Sequence, residues 1–137
     1  MIFGLSHLTF IVHDLEKMSR IIVDVFGGRE VYASGTKQHS LSPEKFFDVG
    51  GFWVAIMQGD PLSTRTYNHV AFKVSKDKLE KAKLAIEKLG LDFRTSRPRV
   101  EGEGQSLYFH DYDNHLFELH TGTLEERLAA YKKLDEI

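Results

Sequence analysis

Two stretches of the chain repeat the same order of apolar and polar positions, which predicts two copies of one folding unit. Residues 6–28 and 68–90 both begin with a polar residue followed by a histidine. Each continues as a short strand-like run and then changes to the 3.6-residue spacing of an amphipathic helix. Each predicted helix ends at a glycine, Gly27 or Gly90, as a C-terminal cap would. The predicted first strands are Leu8–Val12 and Val70–Val74, and the apolar helix stripes are Leu15, Met18, Ile22, Val25 and Leu79, Ala82, Ile86, Leu89.

The match continues downstream, because residues 52–59 parallel residues 115–122 as strands that end in glycine. His7 and His69 are 62 positions apart, and Gly59 and Gly122 are 63 positions apart. One period over most of the chain predicts an α+β fold of two βαβββ modules, residues 1–60 and 61–122, followed by a C-terminal helix in residues 123–137. Thr123 and Glu126 have the spacing of a capping box at the start of that helix. The other predicted strands are Glu30–Ala33, Lys45–Val49, Leu91–Thr95 and Ser106–His110.

Charge and composition exclude several classes of function. The net charge of −2, without any block of like charges, argues against a nucleic-acid-binding protein. No apolar run approaches the roughly 20 residues that a membrane-spanning helix needs, and no secretory signal is recognisable, so we expect a cytoplasmic protein. The chain has no cysteine, and a bound metal would therefore be held by His, Asp or Glu.

Glu118 interrupts an otherwise apolar predicted strand, where a carboxylate is costly unless it is paired or bound to a metal. His7 and His69 occupy equivalent positions in the two copies. If the modules curve around one cavity, these three side chains can converge on a divalent cation such as Mn²⁺, Fe²⁺ or Zn²⁺. His120 lies on the same strand face as Glu118 and is the rival ligand, whereas His115 has the opposite parity. The histidines expected to be solvated are His13, His39 and His110.

Several segments resemble a known family. GLSHLTF, YNHVAF and DYDNHLFELHTGTLEERL resemble the vicinal oxygen chelate superfamily and, within it, the fosfomycin-resistance proteins. SLSPEKFF and RPRVEGEGQSLYF resemble the water-adding (FosX) type, an epoxide hydrolase, rather than the type that adds a thiol. The resemblance implies a glyoxalase-type fold, Mn²⁺ as cofactor, and fosfomycin and water as substrates. It also implies a module-exchanged homodimer, in which His7 of one chain meets His69 and Glu118 of the other.

The resemblance further implies a role for individual residues. The metal ligands would be His7, His69 and Glu118, and Glu44 would be the general base that activates water. The residue pattern by itself predicts only a solvated loop at Glu44, beside Pro43. The expected substrate contacts are Thr9 and Tyr67 by strand parity, Tyr108 and Arg127 by family correspondence, and Arg99 in a loop that aligns less cleanly.

Three other functions stay open at this point. The chain could be a fosfomycin thiol transferase, or a non-catalytic protein that sequesters a metal-chelated small molecule. It could also be a related Fe²⁺ dioxygenase or isomerase, because such enzymes use two histidines and one glutamate as well.

Overall fold

Four-stranded mixed sheets organise both halves of the chain in a computed structural model that describes all 137 residues. One unit comprises residues 1–65 and 111–114, and the other comprises residues 66–110 and 115–137. The elements of the first unit are β1 (His7–Val12), α1 (Leu15–Asp24), β2 (Arg29–Ala33), β3 (Glu44–Val49) and β4 (Phe52–Gln58). Those of the second unit are β5 (His69–Lys73), α2 (Lys76–Lys88), β6 (Asp92–Arg94), β7 (Ser106–His110), β8 (Leu116–His120) and α3 (Leu124–Asp135).

The two sheets have the same topology. The strand order is β1-β4-β3-β2 in the first and β5-β8-β7-β6 in the second. The first strand of each unit pairs in parallel with the last, and the other pairs are antiparallel. A helix links the first two strands of each unit, and the predicted α+β fold of two βαβββ modules is thereby confirmed.

In the first unit, helix α1 covers one face of the sheet. The Asp14 side chain accepts hydrogen bonds from the backbone N–H groups of Glu16 and Lys17, which caps the N-terminus. Met18 and Ile22 of the predicted stripe are buried, whereas strand β1 leaves His7 on an exposed face. This alternation along β1 leaves polar side chains uncovered on the side of the sheet opposite the helix.

The second unit repeats this arrangement, and its last strand, β8, is buried along almost its whole length. Residues 116–119 of β8 are all buried, and Phe109 and Phe117 stack with their ring centroids 5.8 Å apart. Burying an aromatic side chain of this size contributes about 1.5–3 kcal/mol, so these rings hold β7 and β8 firmly in register. His110, at the end of β7, is only 5% exposed, and the expectation that it is solvated is therefore wrong.

Helix α3 begins with the predicted capping box, which is confirmed. Thr123 Oγ1 accepts from the backbone N–H of Glu126, and the Glu126 carboxylate accepts from the backbone N–H of Thr123. No residue of α3 is buried. None of the helices has the length and apolar character that crossing a membrane requires.

Candidate functional site

Glu118 is the centre of the candidate site in the second unit. Its position in β8 pairs with Ala71 of β5 on one side and with Tyr108 of β7 on the other. The side chain is 4% exposed, although it is a carboxylate. A buried charge of this kind requires compensating partners, and the surrounding strands supply them.

Three hydrogen-bond donors surround the Glu118 carboxylate. Ser106 Oγ donates to Oε2 at 2.5 Å, Arg99 Nη2 lies 3.4 Å from the same oxygen, and the Tyr108 hydroxyl also forms a hydrogen bond. Burial raises the pKa of Glu118, but the bonds from Ser106 and Tyr108 and the charge of Arg99 outweigh burial, and the net pKa is lowered. The carboxylate is therefore ionised at neutral pH.

His69 faces the other carboxylate oxygen, with Nε2 3.0 Å from Glu118 Oε1. Its Nδ1 lies 2.7 Å from the backbone oxygen of Tyr67. Since a carbonyl oxygen only accepts, Nδ1 must carry the proton, and in the neutral ring the lone pair is on Nε2. A histidine that donates one ring N–H to a carbonyl and presents the other nitrogen is typical of a metal ligand. The second unit thus places an imidazole nitrogen and a carboxylate oxygen together, as a divalent cation requires.

His7 lies in the first unit, at the start of β1. Its ring stacks on Trp53 with a centroid distance of 4.2 Å, and Ser6 Oγ lies 2.9 Å from Nδ1. Thr9 is exposed on the same strand face. Within the single chain, no group of three or more His, Cys, Asp or Glu side chains is placed to hold a metal ion.

Glu44 is the first residue of β3 and is 7% exposed, so the interpretation of this position as a solvated loop is wrong. Two backbone contacts hold it in place. The Glu44 N–H donates to Ser34 Oγ at 3.0 Å, and the Ser34 N–H donates to the Glu44 carbonyl at 3.0 Å. These bonds close the loop of residues 35–43 at its base and fix the backbone of Glu44.

The rival ligand His120 has both ring nitrogens engaged. Ser106 Oγ uses its hydrogen for Glu118, so it accepts from His120 Nδ1, 2.6 Å away. His120 Nε2 then accepts from Arg127 Nη2 at 3.3 Å. Burial is the main cause of a lowered pKa for His120, which favours the neutral ring. This arrangement leaves no lone pair of His120 available to a metal.

The predicted substrate contacts of the second unit form a linked group. Arg99 Nη2 donates to the Tyr108 hydroxyl at 2.9 Å, and the hydroxyls of Tyr67 and Tyr108 are 3.1 Å apart. Tyr108 is buried, and burial is the largest cause that raises its pKa to about 12. It stays protonated at neutral pH and can donate a hydrogen bond. Arg127 reaches the same region through His120.

Sequence reasoning missed four residues that shape this site, and all four lie in the second unit: Arg97, Glu103, Ser106 and Tyr131. Glu103 is fully buried and accepts hydrogen bonds from Arg97, Arg99 and Tyr131. The hydrogen bonds from Arg97 are the main reason that its pKa is lowered to about 2. The only signal in the sequence was the mixture of arginines and glutamates in residues 97–103, which does not tell which glutamate is buried.

Comparison with known proteins gives consistent matches. The family model described as Glyoxalase/Bleomycin resistance protein/Dioxygenase superfamily matches residues 4–119. The fosfomycin resistance protein FosX of Mesorhizobium japonicum is 62% identical over 133 residues, which cover 97% of this chain and 96% of that protein. The metallothiol transferase FosB of Lysinibacillus sphaericus is 36% identical, with coverage of 95% and 90%.

A solved structure matches as well. It is the crystal structure of a glutamate-to-glutamine variant of FosX from Listeria monocytogenes, complexed with Mn(II) and 1S,2S-dihydroxypropylphosphonic acid. The two folds agree with a TM-score of 0.86 at 49% sequence identity, over 96% of this chain and 99% of that one.

Proposed function

Because this chain belongs to the Glyoxalase/Bleomycin resistance protein/Dioxygenase superfamily and, within it, to the FosX fosfomycin resistance proteins, we propose that it is a manganese-dependent fosfomycin epoxide hydrolase. The observation that carries this proposal is the ligand of the Listeria relative. That ligand is a phosphonate with two adjacent hydroxyl groups, which is the product of adding water to an epoxide. Destruction of the epoxide would confer resistance to the antibiotic.

The donor atoms of this chain fit a divalent cation. His69 Nε2 and Glu118 Oε1 lie 3.0 Å apart, and in the neutral His69 ring Nε2 carries a lone pair that a cation would share with the carboxylate. We propose that His69 and Glu118 bind Mn²⁺ together with His7 of a second copy of the chain. Lewis acidity toward the epoxide oxygen is the chemistry that the bound cation supplies.

Glu44 is proposed as the general base. Its carboxylate would take a proton from water as the water oxygen bonds to an epoxide carbon and the ring C–O bond breaks. The opened ring oxygen would then take up a proton from solvent and Glu44 would return its proton to solvent, so that one water molecule is added in total and the product is the diol. The burial of Glu44 and its two backbone bonds to Ser34 support this role, because a general base must be held in a defined orientation.

The phosphonate dianion requires several donors. Arg99 and Arg127 supply guanidinium groups, whose planar geometry suits a phosphonate. Their contacts with Tyr108 and His120 place them beside the proposed ligand Glu118. Tyr108 is a protonated donor, and Thr9 and Tyr67 are exposed and can contribute hydroxyl groups. A cytoplasmic location remains a prediction.

The proposed homodimer has a direct test by mixing two inactive variants. Each of the substitutions His7→Ala and His69→Ala removes one proposed metal ligand from both sites of its own homodimer. In a module-exchanged dimer, a mixed pair contains one site with all three ligands and one site with Glu118 alone. Refolding an equal mixture should therefore restore about a quarter of wild-type activity, since half of the dimers are mixed and each has one intact site. A mixture that stays inactive would contradict the shared site.

The reaction is tested by incubating the protein with Mn²⁺ and fosfomycin without any thiol, and by following the diol by phosphorus NMR. Diol formation is the expected result. Turnover that begins only when glutathione, cysteine or bacillithiol is added would identify a thiol transferase, the alternative favoured by the similarity to FosB. Tight one-to-one binding without turnover would identify a sequestering protein.

The Glu44→Gly variant tests whether Glu44 acts as the general base or as a metal ligand. We expect this variant to lose water addition while its Mn²⁺ affinity stays close to that of the wild type. A variant that also loses Mn²⁺ would show that Glu44 is needed for metal binding instead.

A further inference from the structure

Glu103 is a fully buried carboxylate on which three arginines converge. None of the roles proposed above involves this residue. Arg97 contacts both carboxylate oxygens, Arg99 Nη1 lies 3.3 Å from Oε1, and Arg127 Nε lies 3.5 Å from Oε1. A bidentate contact of the kind that Arg97 makes gives a defined orientation as well as attraction. The carboxylate is therefore the common partner of three cations that would otherwise repel one another.

The position of Glu103 is itself defined by its surroundings. The Val100 N–H donates to Oε2 at 3.0 Å, and the Tyr131 hydroxyl of helix α3 donates to Oε1 at 3.1 Å. The backbone of Gly122 packs so closely on the Glu103 carbonyl that a Cβ at position 122 would clash with it. The loop that contains Glu103 is thus held against the segment that follows β8.

Two of the three arginines extend from Glu103 to the proposed reaction centre. Arg99 uses its other terminal nitrogen, Nη2, to reach the Tyr108 hydroxyl at 2.9 Å and Glu118 Oε2 at 3.4 Å. Arg127 uses Nη2 to reach His120 at 3.3 Å. Each guanidinium is therefore held by Glu103 at one end and presented to the centre at the other.

We propose that Glu103 is a positioning residue, which holds Arg99 and Arg127 in the orientation in which they bind the phosphonate group of the substrate. This inference rests on the proposed function. The physical reason is preorganisation: long arginine side chains that are already ordered lose less conformational freedom when the anion binds. Arg97 contributes by pairing with the same carboxylate and does not have to touch the substrate.

The sign of the effect distinguishes positioning from simple electrostatics. Neutralising a carboxylate raises the local positive charge, so a purely electrostatic effect would tighten the binding of an anion. Loss of positioning would weaken that binding, because the guanidinium groups would separate and become mobile. A residue that only stabilises the fold would leave the affinity of the folded protein unchanged.

The experiment compares Glu103→Gln with Glu101→Gln in the full-length, Mn²⁺-loaded protein. The two variants make the same change of charge two residues apart, and Glu101 is exposed in the same loop. Methylphosphonate serves as the probe, and its Kd is measured by calorimetry. Mn²⁺ affinity is measured by electron paramagnetic resonance, and kcat and KM for fosfomycin are measured separately.

We expect Glu103→Gln to weaken methylphosphonate binding and to raise KM by about tenfold or more, with kcat changed by less than about threefold. Glu101→Gln should stay within about twofold of the wild type, and Mn²⁺ affinity should be unchanged in both variants. Unchanged or tighter methylphosphonate binding in Glu103→Gln would overturn the proposal. A wild type that does not bind methylphosphonate would overturn it too, whereas one that binds the probe but does not turn over fosfomycin would refute only the proposed reaction.

If Glu103→Gln does not fold, the Tyr131→Phe variant tests whether Glu103 positions the arginines. It removes the 3.1 Å hydrogen bond to Glu103 and the 3.3 Å contact with Arg97 without any change of charge. We expect methylphosphonate binding to weaken by about two- to fivefold, a smaller effect than that of Glu103→Gln, because Arg97, Arg99 and the Val100 N–H still hold the Glu103 carboxylate. Binding equal to that of the wild type would reject the positioning role.

Discussion

Ser106 offers the most direct test of how the site holds its buried carboxylate. Its hydroxyl donates to Glu118 Oε2 at 2.5 Å and accepts from His120 Nδ1 at 2.6 Å. One oxygen atom therefore connects the proposed metal ligand to the histidine that contacts Arg127. Ser106→Ala removes both bonds and leaves the rest of strand β7 unchanged.

The expected loss can be worked out from these two contacts. A hydrogen bond to an ionised group contributes about 1.5–3 kcal/mol and a neutral one about 1 kcal/mol, so the free energy of unfolding should fall by about 2.5–4 kcal/mol. Ser106 is only half-buried, and water that enters can replace part of the loss, which favours the lower end. Disturbing the partner of a metal ligand costs about 10–100-fold in metal affinity, which is about 1.4–2.7 kcal/mol.

Stability is measured by urea unfolding of the metal-free protein, and Mn²⁺ affinity by electron paramagnetic resonance. Ser96→Ala is the matched control, because the Ser96 hydroxyl donates only to the backbone oxygen of Ser106, at 3.2 Å. That variant should lose about 1 kcal/mol or less and should bind Mn²⁺ normally. If Ser106→Ala bound Mn²⁺ as tightly as the control, the hydroxyl would not orient Glu118 for the metal and the reasoning would be refuted.

Three further predictions follow from the second unit. Glu118→Gln keeps the side-chain volume but removes the charge, and it should lower Mn²⁺ affinity by about 100-fold or more in the same resonance assay; retention of wild-type affinity would exclude Glu118 as a ligand. Hydrogen bonding by Arg97 holds the pKa of Glu103 at about 2, below the ordinary 4.5, so its contribution to stability is present above pH 4.5 and is lost as the pH falls toward 2. The difference in unfolding free energy between wild type and Glu103→Gln should therefore shrink by about 2 kcal/mol between pH 6 and pH 3, and a constant difference would contradict the pairing. Phe117→Ala removes a fully buried ring that stacks on Phe109, and it should lower the unfolding free energy by about 3–5 kcal/mol in urea titrations; a loss below about 1 kcal/mol would contradict the packing.

Much of the fold was predictable because its signals are local. The strand and helix periods depend on neighbouring residues, and the repeat of about 62 positions superimposes them on a second copy of the same pattern. The capping box of α3 needs only Thr123 and Glu126, three positions apart. The same repeat singled out His7 and His69, and the apolar residues around Glu118 singled out that carboxylate. His69 and Glu118 lie together in the second unit.

The surroundings of Glu118 were not predictable, because they depend on residues that are distant in the chain. Ser106 and Glu118 are neighbours only because β7 and β8 pair in antiparallel register, and Tyr131 reaches Glu103 from a separate helix. The place of His110 at a strand end predicts exposure to solvent, but packing buries the side chain.

By itself, the sequence determined the repeated βαβββ pattern, the helix ends and the residue types available to a metal, because each of these depends on short-range spacing. Only the tertiary structure decided which charged groups are buried and which partners neutralise them. Glu101 and Glu103 are two residues apart in one loop, yet one is exposed and the other is fully buried among three arginines. The cost of burying a charge depends on every donor around it, and those donors come together only when the chain has folded.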